Sequence, residues 1–219
     1  MSVPENEDTV DFSSTIAWYS ENAKTYADSI SRVVSLDQIE SFIKHLEPGL
    51  SVLDVGCNAG RDLGVFQQLG YQAYGIDLVH EALELAKGKC QRVFESNFLT
   101  IPFRDSSFDG LWVRASIHHL DYFYEVMNAI KEFSRVTKKN GIIHLATQAR
   151  VGRPREAVVF DTLAKANRHY IYLSKGEVED MLQGCGFELI TSEQHRELDT
   201  KVNTGRVGVE WIVALARKK

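Results

Sequence analysis

The stretch Ser51-Val-Leu-Asp-Val-Gly-Cys-Asn-Ala-Gly-Arg61 decides the fold. A short apolar run, Val52, Leu53 and Val55, ends in Gly56-x-Asn58-x-Gly60, and a helical pattern follows with Leu63, Val65, Phe66 and Leu69. Strand, glycine turn and helix together bring a ligand against bare backbone and a helix N-terminus. Glycine removes the side chain where a ligand approaches closely and accepts positive φ without steric cost. Asn58 is one of the few other residue types that tolerate the left-handed conformation.

Outward from this turn, Tyr74-Gly-Ile-Asp77 ends a second apolar run in a carboxylate 21 residues after Gly56. A carboxylate at that distance, on the tip of the neighbouring strand, suits two ribose hydroxyls. A dinucleotide site would want G-x-G-x-x-G, but Asn58 and Arg61 occupy the second and third glycine positions, which disfavours it. The rhythm continues with a helix over 80–87, a short strand over 92–94, a strand over 108–113, and a helix over 122–136 that Asp121 can cap. Lys138 and Lys139 then suit the negative end of that helix, and a fifth strand runs over 141–147. Ser174 and Glu177 form a capping box for a further helix, and strands over 187–190 and 207–216 close the chain, with a polar linker over 199–205. Alternating strands and helices predict an α/β fold. The sheet is doubly wound, mostly parallel and seven-stranded, with an antiparallel terminal strand.

At 219 residues with 44% hydrophobic content the chain suits one domain with a substantial core. Its net charge of −5 argues against a general nucleic-acid binder. No run approaches the ~18 apolar residues of a membrane span, and the acidic N-terminus has no apolar signal region. Three scattered cysteines without C-x-x-C spacing fit a reducing, cytoplasmic setting and no structural metal.

Asp54-x-Gly56-x-Asn58-x-Gly60 followed by Asp77 resembles the class I S-adenosylmethionine-dependent methyltransferases, of the small type 11 kind, whose usual pattern is an acidic residue before Gly-x-Gly-x-Gly. The sequence departs from it at Asn58. The resemblance implies a Rossmann-like methyltransferase fold and S-adenosyl-L-methionine as cofactor, leaving S-adenosyl-L-homocysteine as product. It extends to Tyr19-Ser-Glu-Asn-Ala-Lys-Thr-Tyr26, which is similar to a Tyr-x-x-x-Ala-x-x-Tyr helix covering the methionine end of the cofactor. It extends also to Asn97-Phe98, where the family reads and stacks adenine, to Ile-Pro-Phe-x-Asp-x-Ser-Phe-Asp over 101–109, and to Ile-His118-His119-Leu after the fourth strand. On this resemblance Asp54, Gly56, Asn58, Gly60, Asp77, Leu78, Asn97, Phe98, Arg114 and Tyr26 are cofactor residues.

His titrates near neutrality and suits a general base where the acceptor must lose a proton. His118 is the first candidate, expected to stand nearer the acceptor than His119, and Tyr19 is the second. Over 148–172 five basic residues face two acidic ones. Arg153 and Arg155, with His119, are accordingly candidates for contact with an anionic acceptor. Domain organisation is expected as a flexible 1–13, then one domain over 14–219. Within it, 14–48 is a helical cap and 148–172 an insertion covering the substrate site.

The first functional reading is methyl transfer to a small-molecule acceptor. The Ile-His-His-Leu loop also resembles enzymes that methylate wobble uridines in tRNA, and Asn58 in place of glycine admits a non-catalytic cofactor-binding module. No membrane partner is expected, and the sequence leaves the oligomeric state open.

Overall fold

A computed structural model describes residues 12–31, 34–161, 165–196 and 209–219. The N-terminal half runs α1 (Phe12–Ile30), α2 (Leu36–Ile43), β1 (Ser51–Val55), α3 (Arg61–Gln68), β2 (Gln72–Asp77), α4 (His80–Ala86), β3 (Val93–Glu95) and β4 (Phe108–Arg114). A 3-10 turn (Ile117–His119), α5 (Phe123–Val136), β5 (Thr137–Gln148), β6 (Glu156–Asp161), β7 (Ala166–Ile171), α6 (Lys175–Gly184), β8 (Phe187–Arg196) and β9 (Glu210–Lys218) follow. Seven strands form one sheet in the order β3-β2-β1-β4-β5-β9-β8. β1 to β5 are mutually parallel, and β9 runs antiparallel to both its neighbours, β5 and β8.

Central strands of a parallel sheet are buried on both faces, which is why β1 and β4 read as apolar runs and not as alternation. Their side chains divide by parity. Leu53, Val55, Leu111 and Val113 pack with α5 and α6 on one face. Val52 and Trp112 pack with α2 and α3 on the other. At Gly110 a Cβ would stand 2.7 Å from Leu46 and 2.8 Å from Phe42, so the bare backbone lets α2 and the turn after it lie directly on β4. After β3 the chain crosses back to place β4 on the other side of β1. That reversal opens a crevice at the carboxyl ends of β1 and β4.

Several boundaries differ from the sequence expectation. α1 begins at Phe12, inside the segment expected to be flexible; the rest of that segment, and the linker over 199–205, lie outside the described residues. Only α1 lies over the crevice, on α4 and β7, whereas α2 joins the core with Ile39 and Phe42 fully buried against Trp112. α5 takes Tyr122 and not Asp121 as its N-cap, with the Glu125 carboxylate accepting the Tyr122 N–H. Lys138 is the second residue of β5 and reaches Asp109 at 2.8 Å instead of serving the helix end. The capping box of α6 forms as expected, Ser174 N–H donating to Glu177 and Glu177 N–H to Ser174. The segment over 148–172 folds back as an antiparallel hairpin, β6 on β7.

Inside the α2–α3 layer, His144 of β5 stacks on Trp112 with ring centroids 3.8 Å apart and planes 16° apart. Neither ring nitrogen has a hydrogen-bond partner among the described residues. Burial, with Arg114 nearby, pushes its pKa from 6.5 down to about 3. The unfolded chain therefore takes up a proton near pH 6.5 that the folded chain refuses until about pH 3, so stability falls as pH falls through that window. Urea unfolding at pH 7 and pH 4.5 should show a loss of roughly 2–3 kcal/mol attributable to this ring. His144→Phe, which keeps the stack and cannot titrate, should remove that part of the loss.

Candidate active site

The turn after β1 is fixed by its backbone. The N–H groups of Gly56 and Cys57 both donate to the Ile76 carbonyl, at 2.8 and 3.0 Å, tying the turn to the end of β2. Gly56 has φ +73°, and a Cβ there would stand 2.7 Å from the Ser116 Cβ, so the turn lies against the loop that follows β4. Asn58 occupies the left-handed region at φ +47°, and its side-chain oxygen accepts the Ala59 N–H at 2.7 Å. Gly60, at φ +71°, caps α3, where a Cβ would press on Ala86 at 3.1 Å.

Asp77 closes this arrangement. One carboxylate oxygen accepts the Asn58 N–H at 2.8 Å and the other accepts the Val79 N–H at 2.9 Å. Burial raises its pKa, and the N–H groups of Val79, Asn58 and Leu78 oppose that rise. Each carboxylate oxygen can accept a second donor, so Asp77 keeps capacity for hydroxyls in the cleft.

The cleft at the ends of β1, β2 and β4 holds roughly 1390 Å³, its open mouth included. Asp54, Asp62 and Asp77 line its floor. Asp62 is gripped side-on by Arg61, Nε to Oδ1 at 2.6 Å and Nη2 to Oδ2 at 2.7 Å, and accepts the Trp112 indole N–H at 3.0 Å. Burial works to raise the Asp62 pKa, but the Arg61 fork overcomes it and holds the group below its usual value. Asp54 goes the other way: burial first, then the like charge of Asp62, lifts it well above the ordinary carboxylate range.

The roof comes from α1. Tyr19 and Tyr26 line the cleft and meet edge to face, ring centroids 5.0 Å apart. His119 lines it too, 6.0 Å from the Tyr19 ring. His118 does not. It is 2% exposed, behind His119, with Tyr170 and Trp211 around it and the Thr147 hydroxyl 3.5 Å from Nδ1. His118 is expected nearer the acceptor, yet of the two rings it is His119 that lines the cleft, because adjacent residues of a 3-10 turn project in different directions.

Among the other expected residues, Leu78, Phe98 and Arg114 line the cleft. Asn97 lies off it, its side-chain oxygen accepting the Leu99 N–H at 2.8 Å to close the turn. Arg153 and Arg155 are corrected as acceptor contacts, since both are engaged away from the cleft. Arg153 lies over the Tyr172 ring and donates to its hydroxyl at 3.2 Å. Arg155 sits 3.8 Å from the Phe123 ring centroid and donates to Glu177 at 2.6 Å.

Some lining residues were missed by the sequence reading. Arg61 entered it only as a broken glycine position, although an Asp beside it in the first helical turn signals a pair. Ala115, at φ +58°, bends the loop after β4 into the cleft, a strained conformation of the sort that gathers at functional sites. Trp211 arrives from β9, opposite Gln148, and no local pattern announces it.

Comparison with known proteins agrees with this geometry. Residues 53–145 match the family described as methyltransferase domain. The probable tRNA methyltransferase 9B of Mus musculus is 29% identical over 150 residues, covering 68% of this chain and 33% of the relative. The tRNA (carboxymethyluridine(34)-5-O)-methyltransferase of Arabidopsis thaliana is 27% identical over 121 residues, 55% of this chain and 30% of the relative. The chain thus spans about a third of the length of these relatives. Among solved structures, the Burkholderia thailandensis 1,6-didemethyltoxoflavin-N1-methyltransferase, with its acceptor and S-adenosylhomocysteine bound, superposes with a TM-score of 0.70. That likeness is one of fold, at 20% identity, and covers 100% of this chain and 92% of that one. The fold is the Rossmann-like methyltransferase fold. Over residues 53–145 the chain matches a methyltransferase domain of the type 11 kind, on the fold of the class I S-adenosylmethionine-dependent methyltransferases.

The two floor carboxylates should answer isosteric substitution differently. Asp54→Asn replaces a carboxyl already pushed toward its neutral form and should leave the urea midpoint unchanged or higher. Asp62→Asn leaves the buried Arg61 without its counter-charge and should cost about 3–5 kcal/mol. Equal losses in the two variants would contradict this account of the floor.

Proposed function

We propose that the protein transfers a methyl group from S-adenosylmethionine to a small-molecule acceptor by in-line displacement. The observation that carries this is the continuity of one cleft. It joins the Gly56–Asn58–Asp77 corner to a chamber roofed by Tyr19 and Tyr26 and flanked by His119 and Trp211.

The residues present fit the cofactor. The Gly56 cradle admits no Cβ, and Asp77 offers acceptor capacity to a ribose diol. Asp54, at the end of β1, offers its carboxyl to the ammonium of the ligand's amino acid end. On this reading Asp77 and Leu78 hold the ribose side and Phe98 covers the base. Asp54, Gly56, Asn58, Gly60, Arg114 and Tyr26 shape the methionine end, and Asn97 acts from beside the base through its turn. When bound, the cofactor supplies an electrophilic methyl on a sulfonium that loses its charge as the methyl leaves, so no strong acid is required of the protein. The chain's own task is to align the acceptor and exclude water, and alignment alone can contribute up to roughly 7–11 kcal/mol.

For an acceptor that must shed a proton, His119 is the group placed to take it, with Tyr19 beside it. His118 then acts as the packed support of His119, 4.5 Å away. The hairpin over 148–172 serves as the outer wall of the acceptor chamber through its contact with α1.

A second reading, tRNA as acceptor, is favoured by the tRNA methyltransferases among the relatives. The net charge of −5 weighs against it, since phosphate contacts need Lys and Arg.

Titration calorimetry with S-adenosylhomocysteine tests the cofactor half. The wild type should bind, and Asp77→Ala should weaken binding at least tenfold, about 1.4 kcal/mol. Tight binding with no turnover on a broad acceptor panel would favour a non-catalytic module. Salt-sensitive binding to bulk tRNA would favour the RNA reading.

A further inference from the structure

Behind the Tyr19 wall of the cleft lies a charged group that the account above does not use. Arg168 of β7 is fully buried. Its Nη1 donates to the Tyr19 hydroxyl at 2.7 Å and lies 3.5 Å from an Asp161 oxygen, which also accepts the Tyr170 hydroxyl at 2.8 Å. Its guanidinium carbon lies 4.3 Å from the ring centroids of both Trp18 and Tyr19, and 5.8 Å from that of Tyr26. The other edge of the guanidinium is different. Nε and Nη2 are shut from solvent and have no hydrogen-bond partner among the described residues.

Those two nitrogens form the side-on fork, the arrangement that holds a carboxylate with two parallel bonds. The same protein shows what that fork does when it is filled, since Arg61 uses its own Nε and Nη2 to hold both oxygens of Asp62. An unfilled fork on a buried cation is costly, because each orphaned donor has given up its hydrogen bond to water without a replacement. Cation–π contact with the three rings offsets part of that cost, but ring faces do not satisfy in-plane N–H donors. The free edge of Arg168 therefore has the chemistry of a binding group, and Tyr19, which accepts from its other edge, and Tyr26, whose ring centroid is 5.8 Å from the guanidinium carbon, both line the cleft.

We propose that the side-on edge of Arg168 is an anion subsite, which selects a small acceptor bearing a carboxylate and anchors that carboxylate beneath α1. This rests on the reading of the cleft as a cofactor and acceptor site. It moves anion recognition from Arg153 and Arg155, which are engaged elsewhere, to the one arginine of the hairpin that touches the cleft's aromatic roof. Because the fork is shut from solvent, an acid reaches it only as α1 moves off β7, so binding and movement of the roof are one event. Arg168 is a specificity residue here and takes no part in bond making.

The test uses the full chain and simple probes, phenylacetate and malonate, each against its neutral amide. Affinities are measured by calorimetry with and without S-adenosylhomocysteine, and the Arg168 Nε–H resonance is followed by NMR. The acids should bind at least tenfold more tightly than the amides and shift that resonance downfield. Arg168→Lys, which keeps the charge but lacks the fork, and Arg168→Met, which keeps only the stem, should each abolish the preference while S-adenosylhomocysteine affinity stays within twofold. Acids binding no better than amides in the wild type overturn the proposal whether or not the variants fold. So does a preference that survives both substitutions. If S-adenosylhomocysteine does not bind but the Arg168-dependent preference persists, the anion subsite stands and the cofactor reading falls. The reverse pattern leaves the cofactor reading and removes the subsite.

Discussion

The Asp77 carboxylate is the constraint on which the rest of the site depends. Its two oxygens accept one backbone N–H from the turn after β1 and one from the start of α4. Two loops that approach from different strands are thereby held at one fixed separation. The turn contains a non-glycine residue in the left-handed region, a conformation that needs support. Asn58 receives it twice, once through its own N–H to Asp77 and once through its side-chain oxygen to Ala59. This is why asparagine can stand where glycine is usual: the residue that departs from the pattern is the one tied to the carboxylate.

From that corner the sheet determines what else can reach the cleft. The reversal of strand order between β1 and β4 places the loop carrying Ala115, Ser116 and His119 beside the turn, and Gly56 allows the two to touch. β9, antiparallel between β5 and β8, brings Trp211 to the same end. α1, whose small core of Ala23, Val79 and Ala82 joins it to α4, lays its tyrosines across the top. α1 rests chiefly on α4 through that patch, and the Tyr19 hydroxyl also accepts a bond from Arg168 of β7.

The fold was legible because its signals are local. Apolar runs ending in glycine, and a carboxylate at the end of the next run, lie within single elements, and the sheet they predict is the sheet observed. The site was legible to the same depth and no further. Asp54, Asp77 and the Gly56 turn belong to strand tips, so sequence position fixes their place in space. His118 and His119 are adjacent in sequence, and which of them faces the cleft is set by the 3-10 turn that carries them, in tertiary packing that includes Tyr170 from a distant hairpin against both rings. Arg150, Arg153, Arg155, Lys165 and Arg168 looked alike as a cluster of charge. Glu177 takes Arg150 and Arg155, and Tyr172 takes Arg153. These pairings span 19 to 27 residues and carry no sequence signature.

The distribution of charge across the cleft gives the two ligands opposite requirements. The floor gathers Asp54, Asp62 and Asp77, with Arg61 paired to Asp62 and with Arg114 and Lys89 also lining the cleft. Burial first, and then the like charge of Asp62, lifts the Asp54 pKa. The roof holds a buried arginine whose nearest carboxylate, Asp161, is shared with a tyrosine. On the proposed reading the methyl donor lies toward Asp54 and Asp77, and an acid-bearing acceptor is held at Arg168 beneath α1, with the gap between them as the place of reaction. A low-dielectric chamber strengthens both attractions, so closure by α1 would tighten donor and acceptor together, and an acceptor without an anionic group would meet the same cofactor without being drawn into line.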